Sequence, residues 1–508
     1  MFGMAIQGQH GMAGAGQHGM RRAWGEPPPD GWVVEFSGGV GYFGLFGGSV
    51  TVEWGDGTIE NHSTGSSSLI THDYADNLEY VATITGTANR VSFSAWGGYN
   101  TYLKKVLPCN PIPLLAGNSL LEAFSGCNNL ASLQSNIFID TQSITSLERC
   151  FRDCLGLTEL PEGMLSVTPS ITTLQNCFGH SGITELPENM LSDTPQLTTI
   201  ENCFRNCHSL TSTNDNLFST TPKLTNAREC FYDCIALKTT TGNLFSNTPV
   251  LTNIIKCFQN CTALESVNNG IFSVTPELLD TLDCFRNCSS LKSLGSGIFS
   301  SLPKVQYLTQ VFLDCTSLVS LPSGIFGNVE KCSSLGETFM GCTSLETTPS
   351  GMFSYLPDPH LGITRVFRDC TSLTSVNSDI FSDVPMLGVA DKVFLNCTAL
   401  ESIPSSIFQN APPEGGGGFP IFVETFRNTP SVTGSIPTLW VGRELTGSNG
   451  CFRDCGKQTS PPPNWAHSVT NICVAACVGD YVDWGWGPFW VNGNWTGGQW
   501  TGSSHCDC

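Results

Sequence analysis

The stretch CFRNCSSLKSLGSGIFSSLPKV, Cys284–Val305, decides how most of this chain is read. Two cysteines bracket an aromatic and two polar residues, and leucines follow three residues apart. Close variants occur at CFRDCLGLTEL, CFRNCHSL, CFYDCIAL and CFQNCTAL. The aromatic returns as Phe124, Phe151, Phe178, Phe204, Phe231, Phe258, Phe285, Phe312, Phe339, Phe367, Phe394, Phe426 and Phe452. Most steps are 27 residues, and one 32-residue step holds APPEGGGG, a loop insertion. Thirteen units between about Leu114 and Cys455 therefore form an array. No single unit can bury its apolar side, but stacked units share one core.

Each unit runs Cys-Phe-x-x-Cys-x-x-Leu-x-x-Leu, then a GIF or NLF group, a TP turn and xLTxL. In one copy the apolar positions are Leu291, Leu294, Ile298, Phe299, Val305 and Leu308. Apolar residues three to four apart around CF-x-x-C predict a short helix, and LxSL predicts a short strand. The expected fold is mixed α/β, a solenoid of about thirteen coils. At about 4.8 Å per strand it would be a rod of roughly 60 Å.

The copies expose what each cysteine column tolerates. The second cysteine appears as Cys127, Cys154, Cys207, Cys234, Cys261, Cys288, Cys315, Cys342, Cys370, Cys397 and Cys455, and is replaced by Ser181 and Thr429. The first is replaced in six units by Ala123, Val311, Thr338, Val366, Val393 or Thr425. A zinc site does not survive loss of a thiolate ligand. Stacked equivalents also point the same way instead of facing each other, which disfavours a regular disulfide ladder. The columns read as a packing ladder of buried thiols, with some pairing of first and second cysteines left open. Cys332 replaces a core leucine. Cys109, Cys473, Cys477, Cys506 and Cys508 fall outside the repeat and are the disulfide candidates if the chain works in an oxidising place.

The chain has 508 residues, too many for one compact core. It carries 23 Lys plus Arg against 43 Asp plus Glu, a net charge of -20 with no basic block, which argues against a nucleic-acid partner. No apolar run is long enough to cross a bilayer, so no membrane insertion is expected. The N-terminus shows no secretory leader, and its duplicated GQHGM is too glycine-rich to fold alone. The sequence divides into a Gly-rich tail (1–31), a β-sandwich (32–98), the solenoid (99–455) and a Cys/Trp-rich segment (456–508).

The repeats AFSGCNNLASL, VFLDCTSLVSLPSGIF and TFMGCTSLETTPSGMF resemble the BspA-like leucine-rich repeats of bacterial surface proteins, including the Mycoplasma-type units. That resemblance implies a leucine-rich-repeat solenoid used in adhesion or host contact, and no catalytic residues. Upstream, VTVEWGDGTIE and ITHDYADNLEYVATITG resemble a PKD-type immunoglobulin-like domain, with Trp54 to Thr58 as a tight turn. The absent leader departs from exported bacterial relatives. The terminal segment, with Trp484, Trp486, Trp490, Trp495 and Trp500, resembles no family. It reads as a small capping core or as a docking surface.

Gly39, Gly41 and Gly44 have GxGxxG spacing, but a strand rather than a helix follows, so no phosphate cradle is expected. Asp56 reads as a turn residue rather than a calcium ligand, and His10 and His18 lie in the tail. The exposed positions after the repeat leucine (Thr158, Thr211, Lys238, Glu265, Lys292, Val319, Glu346, Thr374 and Glu401) mix signs and lack aromatics. No catalytic or metal constellation emerges and no cofactor is implied. The expectation is a non-enzymatic interaction protein whose partners are other subunits of an assembly and a host surface. A tailed-phage virion component (collar, fibre or decoration protein) is the first reading, and a BspA-like cell-surface adhesin the second.

Overall fold

The computed structural model describes residues 31–94, 99–107, 119–133, 143–240, 244–353, 363–381, 390–408, 422–433, 451, 454–456, 490–491 and 494–495. Six strands open the chain: β1 (Gly31–Phe36), β2 (Val40–Glu53), β3 (Ile59–Asp73), β4 (Tyr80–Ser92), β5 (Leu103–Val106) and β6 (Ser132–Leu133). They hydrogen-bond into one sheet, in the order β3-β2-β4-β1-β5-β6. Alternation sets its inner face: Trp32, Val34 and Phe36 of β1 are fully buried. The Trp54–Thr58 turn joins β2 to β3, with Trp54 N–H donating to Thr58 O at 3.0 Å. Gly55 and Gly57 have φ of 87° and 96°. A Cβ on Gly55 would also lie 2.4 Å from the Val81 carbonyl oxygen, so glycine is required there.

The sheet runs directly into the coils. β5 pairs antiparallel with β1 and parallel with β6, which belongs to the first coil. Phe93 stacks on Phe124 with ring centroids 5.2 Å apart and planes 3° from parallel. Its N–H donates to Ala123 O at 2.6 Å, as Phe124 N–H donates to Cys150 O at 2.8 Å one coil on. Trp32 meets the edge of Phe124 at 5.2 Å. The sheet thus closes the end of the array, whose terminal coil would otherwise expose its apolar face.

The mixed α/β expectation is corrected here. No helix forms among the described residues, and the fold is mainly β. The cause lies in the residue before each cysteine. In one coil Arg149 and Asp153 have φ of 53° and 59°, in the next but one Asn202 and Asn206 have 56° and 58°, and the pattern repeats along the array. Two left-handed residues four apart are incompatible with a right-handed helix. Each segment instead folds into successive turns. Cys150 N–H and Arg152 N–H donate three residues back, to Leu147 O and Arg149 O. Arg149, Phe151 and Asp153 N–H donate across to Gln175, Cys177 and Gly179 O of the next coil at 2.8–2.9 Å. Backbone groups that would close a helix therefore tie coil to coil.

Two phenylalanine stacks run through the interior. One continues from Phe93 through Phe124 to Phe426, and its Phe231–Phe258–Phe285 portion steps by 5.4 and 5.3 Å. The other holds the GIF and NLF aromatics, from Phe218 and Phe245 at 5.2 Å to Phe381 and Phe408 at 5.5 Å. Outside them lie parallel bridges, such as Ser146↔Thr173↔Thr199↔Asn226↔Asn253. Ser, Thr, Asn or Asp fits that column because its side chain also accepts from the N–H two residues on, as Asn226 does from Arg228 at 3.0 Å. Elsewhere LxSL widens into the parallel pair β7 (Ser266–Val267) and β8 (Ser293–Leu294). Short strands β9 (Phe299–Ser301) and β10 (Phe326–Asn328) pair likewise, and β11 (Trp490–Val491) and β12 (Asn494–Trp495) form a hairpin.

Candidate functional site

The cysteine columns are interior. Nineteen cysteines are described, all buried, and the seventeen other than Cys332 and Cys455 are free thiols. In the second column the thiol donates to the carbonyl of the preceding coil's phenylalanine: Cys154 to Phe124 at 3.1 Å, Cys207 to Phe178 at 3.2 Å and Cys234 to Phe204 at 3.1 Å. Cys261, Cys288 and Cys315 repeat this at 3.2 Å, Cys342 at 3.3 Å, Cys370 at 3.2 Å and Cys397 at 3.1 Å. A small donor is what this position needs, which accounts for Ser181 and Thr429. Ser181 Oγ lies 3.4 Å from Cys207 Sγ, and Thr429 donates to Phe426 O of its own coil at 2.9 Å. Burial pushes the thiols up, Cys207 to about 11 and Cys234, Cys261 and Cys288 well above the ordinary thiol value. Such thiols are poor nucleophiles and poor metal ligands. The disulfide candidates Cys109, Cys473, Cys477, Cys506 and Cys508 lie outside the described residues.

What the array presents to solvent is mostly polar, with Leu155, Ile235, Val274, Leu279 and Val319 exposed singly among the polar residues. The left-handed position before the second cysteine forms an amide column: Asn287 Nδ2 donates to Asn260 Oδ1 at 3.0 Å, and Asn428 to Asn396 at 3.0 Å. Charges pair across coils beside it, as Arg149–Glu122 at 3.2 Å and Arg365–Glu337 at 2.7 Å. Arg205 lies over the Tyr232 ring at 4.4 Å and also pairs with Glu229. On the face beyond the repeat leucine, Lys292 meets Glu265 at 3.0 Å. Ser266, Asn268, Asn269, Ser293 and Gly295 line a shallow groove. The sequence reading missed the amide column, although its signal was present: the residue before the second cysteine is Asp, Asn or Gly in nearly every unit, Gly126 and Gly341 (both φ 74°) included.

The densest titratable cluster sits on the β2–β3 hairpin. His72 stacks on Trp54 at 4.8 Å, and its Nε2 lies 2.8 Å from Asp56 Oδ2. Trp54 Nε1 donates to Glu60 Oε2 at 3.0 Å, and His62 Nε2 lies 3.0 Å from the same oxygen. Tyr74 donates to Trp54 O at 3.0 Å and stacks on Tyr80 at 4.1 Å. Burial works against the Asp56 carboxylate, but hydrogen bonds from Thr58 and His72 outweigh it and hold its pKa below the usual range. The Trp54 indole does the same for Glu60. These polar groups partner one another, so the cluster pins the turn rather than opening toward a substrate. Gly41 and Gly44 lie within β2, where no helix N-terminus is available to a phosphate. Among the described residues no three His, Cys, Asp or Glu side chains converge to hold a metal, and no helix is long and apolar enough to cross a membrane.

These features define a mainly β stack of coils, closed at one end by a sheet, with an inert interior and a mostly polar exterior. No family model and no curated protein matches the chain. Among solved structures, a leucine rich cell surface protein from Faecalibacterium prausnitzii A2-165 is similar to it at 16% identity, over 69% of this chain and 89% of that one, with a TM-score of 0.25. Superposition that loose leaves the functional argument to the coils themselves.

Proposed function

We propose that this protein is a non-enzymatic interaction scaffold of the bacterial cell surface, of the adhesin type that the repeat resembles. The observation that carries the reading is the division of labour within each coil. Phenylalanine, the repeat leucines and thiol are sealed inside, while Asn, Asp, Arg, Lys, Glu and Thr predominate and vary from coil to coil outside. A rigid stack with a changeable polar exterior suits recognition over an extended surface. Along the described coils the titratable groups engage each other in pairs, and the one denser group, Asp56, Glu60, His62 and His72, is taken up in pinning the β2–β3 turn. The cell-surface reading takes the place of the virion component because the repeat itself carries it. The virion reading rested on the missing leader, the Gly-rich tail, the terminal cysteines and the pairing of surface-type modules, none of which singles out a particle over a cell surface.

Fractionation of the producing organism tests the location. The full chain should sediment with the cell envelope. Recovery in purified phage particles, or in the soluble cytoplasm alone, would overturn the assignment.

A further inference from the structure

The thiol columns carry a consequence for how the protein is made. We propose that folding of the coil array is gated by thiol redox state: the coils form only from the reduced chain, and once formed they are closed to oxidation. The proposal is independent of the cell-surface reading.

Three observations support it. First, seventeen column thiols are free and buried, from Cys127 to Cys451. Second, the second column uses its S–H as a donor to a phenylalanine carbonyl in coil after coil, for example Cys261 to Phe231 and Cys288 to Phe258, both at 3.2 Å. A disulfide has no hydrogen to donate, so oxidation removes a contact that joins neighbouring coils. Third, cysteines of the same column recur mostly every 26–28 residues, so an unfolded chain offers many bridges, nearly all tying the wrong segments together.

The trapping reaction needs a disulfide oxidant, such as glutathione disulfide. In the unfolded chain the Cys257 thiolate attacks one sulfur of the oxidant, releasing one glutathione thiolate and leaving a mixed disulfide. A second cysteine thiolate, from Cys261 or another unit, attacks the protein-bound sulfur and releases the second glutathione. The chain loses two protons and two electrons, and the glutathione takes them up. After folding, neither step has a route: Cys257 and Cys261 have no exposed surface, and burial also disfavours their thiolates. Oxidation then waits on local opening of the coils.

Cell-free synthesis tests this without dependence on refolding. The full chain, and a variant carrying Cys109→Ser, Cys473→Ser, Cys477→Ser, Cys506→Ser and Cys508→Ser, are made with reduced glutathione or with glutathione disulfide. Yield is read as soluble, protease-resistant product. For both chains it should fall about tenfold or more under the oxidant, with bridges among the column cysteines found by non-reducing mass spectrometry. Protein made reduced and then moved into the oxidant should keep its column thiols free. Equal yields in the two conditions would overturn the gate. Column disulfides forming in folded protein without denaturant would overturn the closure.

Discussion

Replacing Phe258 by alanine removes a ring that is fully buried and stacked on both sides, 5.4 Å from Phe231 and 5.3 Å from Phe285. Truncating a buried phenylalanine costs about 3–5 kcal/mol. Each lost stacking contact accounts for about 0.5–1.5 kcal/mol of such a change. The neighbouring Cys261→Ser is expected to be mild, because a hydroxyl can take over the 3.2 Å donation to Phe231 O. It should cost about 1 kcal/mol or less, the net worth of a weak buried hydrogen bond. Urea unfolding followed by circular dichroism gives the ranking. Hydrogen exchange of peptides spanning 204–312 shows whether the loss stays in adjacent coils, as nearest-neighbour coupling requires. If Cys261→Ser proves the more damaging change, the cysteine is not a donor filling a small space, and a covalent role would have to replace the packing account.

Three further outcomes follow from particular contacts. Asn260 has φ of 63°. Asn260→Ala should therefore cost about 1–2 kcal/mol, and Asn260→Gly little, by urea denaturation. Phe93→Ala should cost about 3–5 kcal/mol and raise hydrogen exchange around Phe124 and Phe151, leaving Phe367 and Phe394 unchanged. Asp56 and Glu60 are held below their usual pKa in the folded chain. Their contribution is complete above the unfolded value, about pH 4, and is lost as pH falls through the folded value. Asp56→Asn should flatten the acid limb of stability against pH and leave its slope above pH about 6 unchanged.

The period, the two cysteine columns and the interior phenylalanines were legible in the sequence because burial imposes residue type directly. The backbone conformation of CF-x-x-C was not, since apolar spacing of three to four suits a helix and a run of turns equally. The distinguishing mark was polar: Asp153, Asn206, Asp233 and Asn260 before the second cysteine, where short side chains tolerate positive φ. Phe93 was hidden for another reason. It joins the stack without the surrounding motif, lying in the sequence RVSFS beyond the end of β4. The pairing of the N-terminal strands was not legible either, because strand alternation sets a buried face but not which edges meet. β1 takes β4 on one side and β5 on the other, and β5 carries the sheet into the coils. The exposed faces were read from one column after the leucine. The amide column beside it became visible only when the turns placed Asn287 against Asn260.

Surface display is tested most directly on living cells of the producing organism. Lys292 and Lys304 belong to one unit of the array, with side chains 62% and 49% exposed. A membrane-impermeant amine-reactive label applied to intact cells should modify both, as detected by peptide mass spectrometry. Labelling of these lysines only after lysis would contradict the assignment of this array to the cell surface.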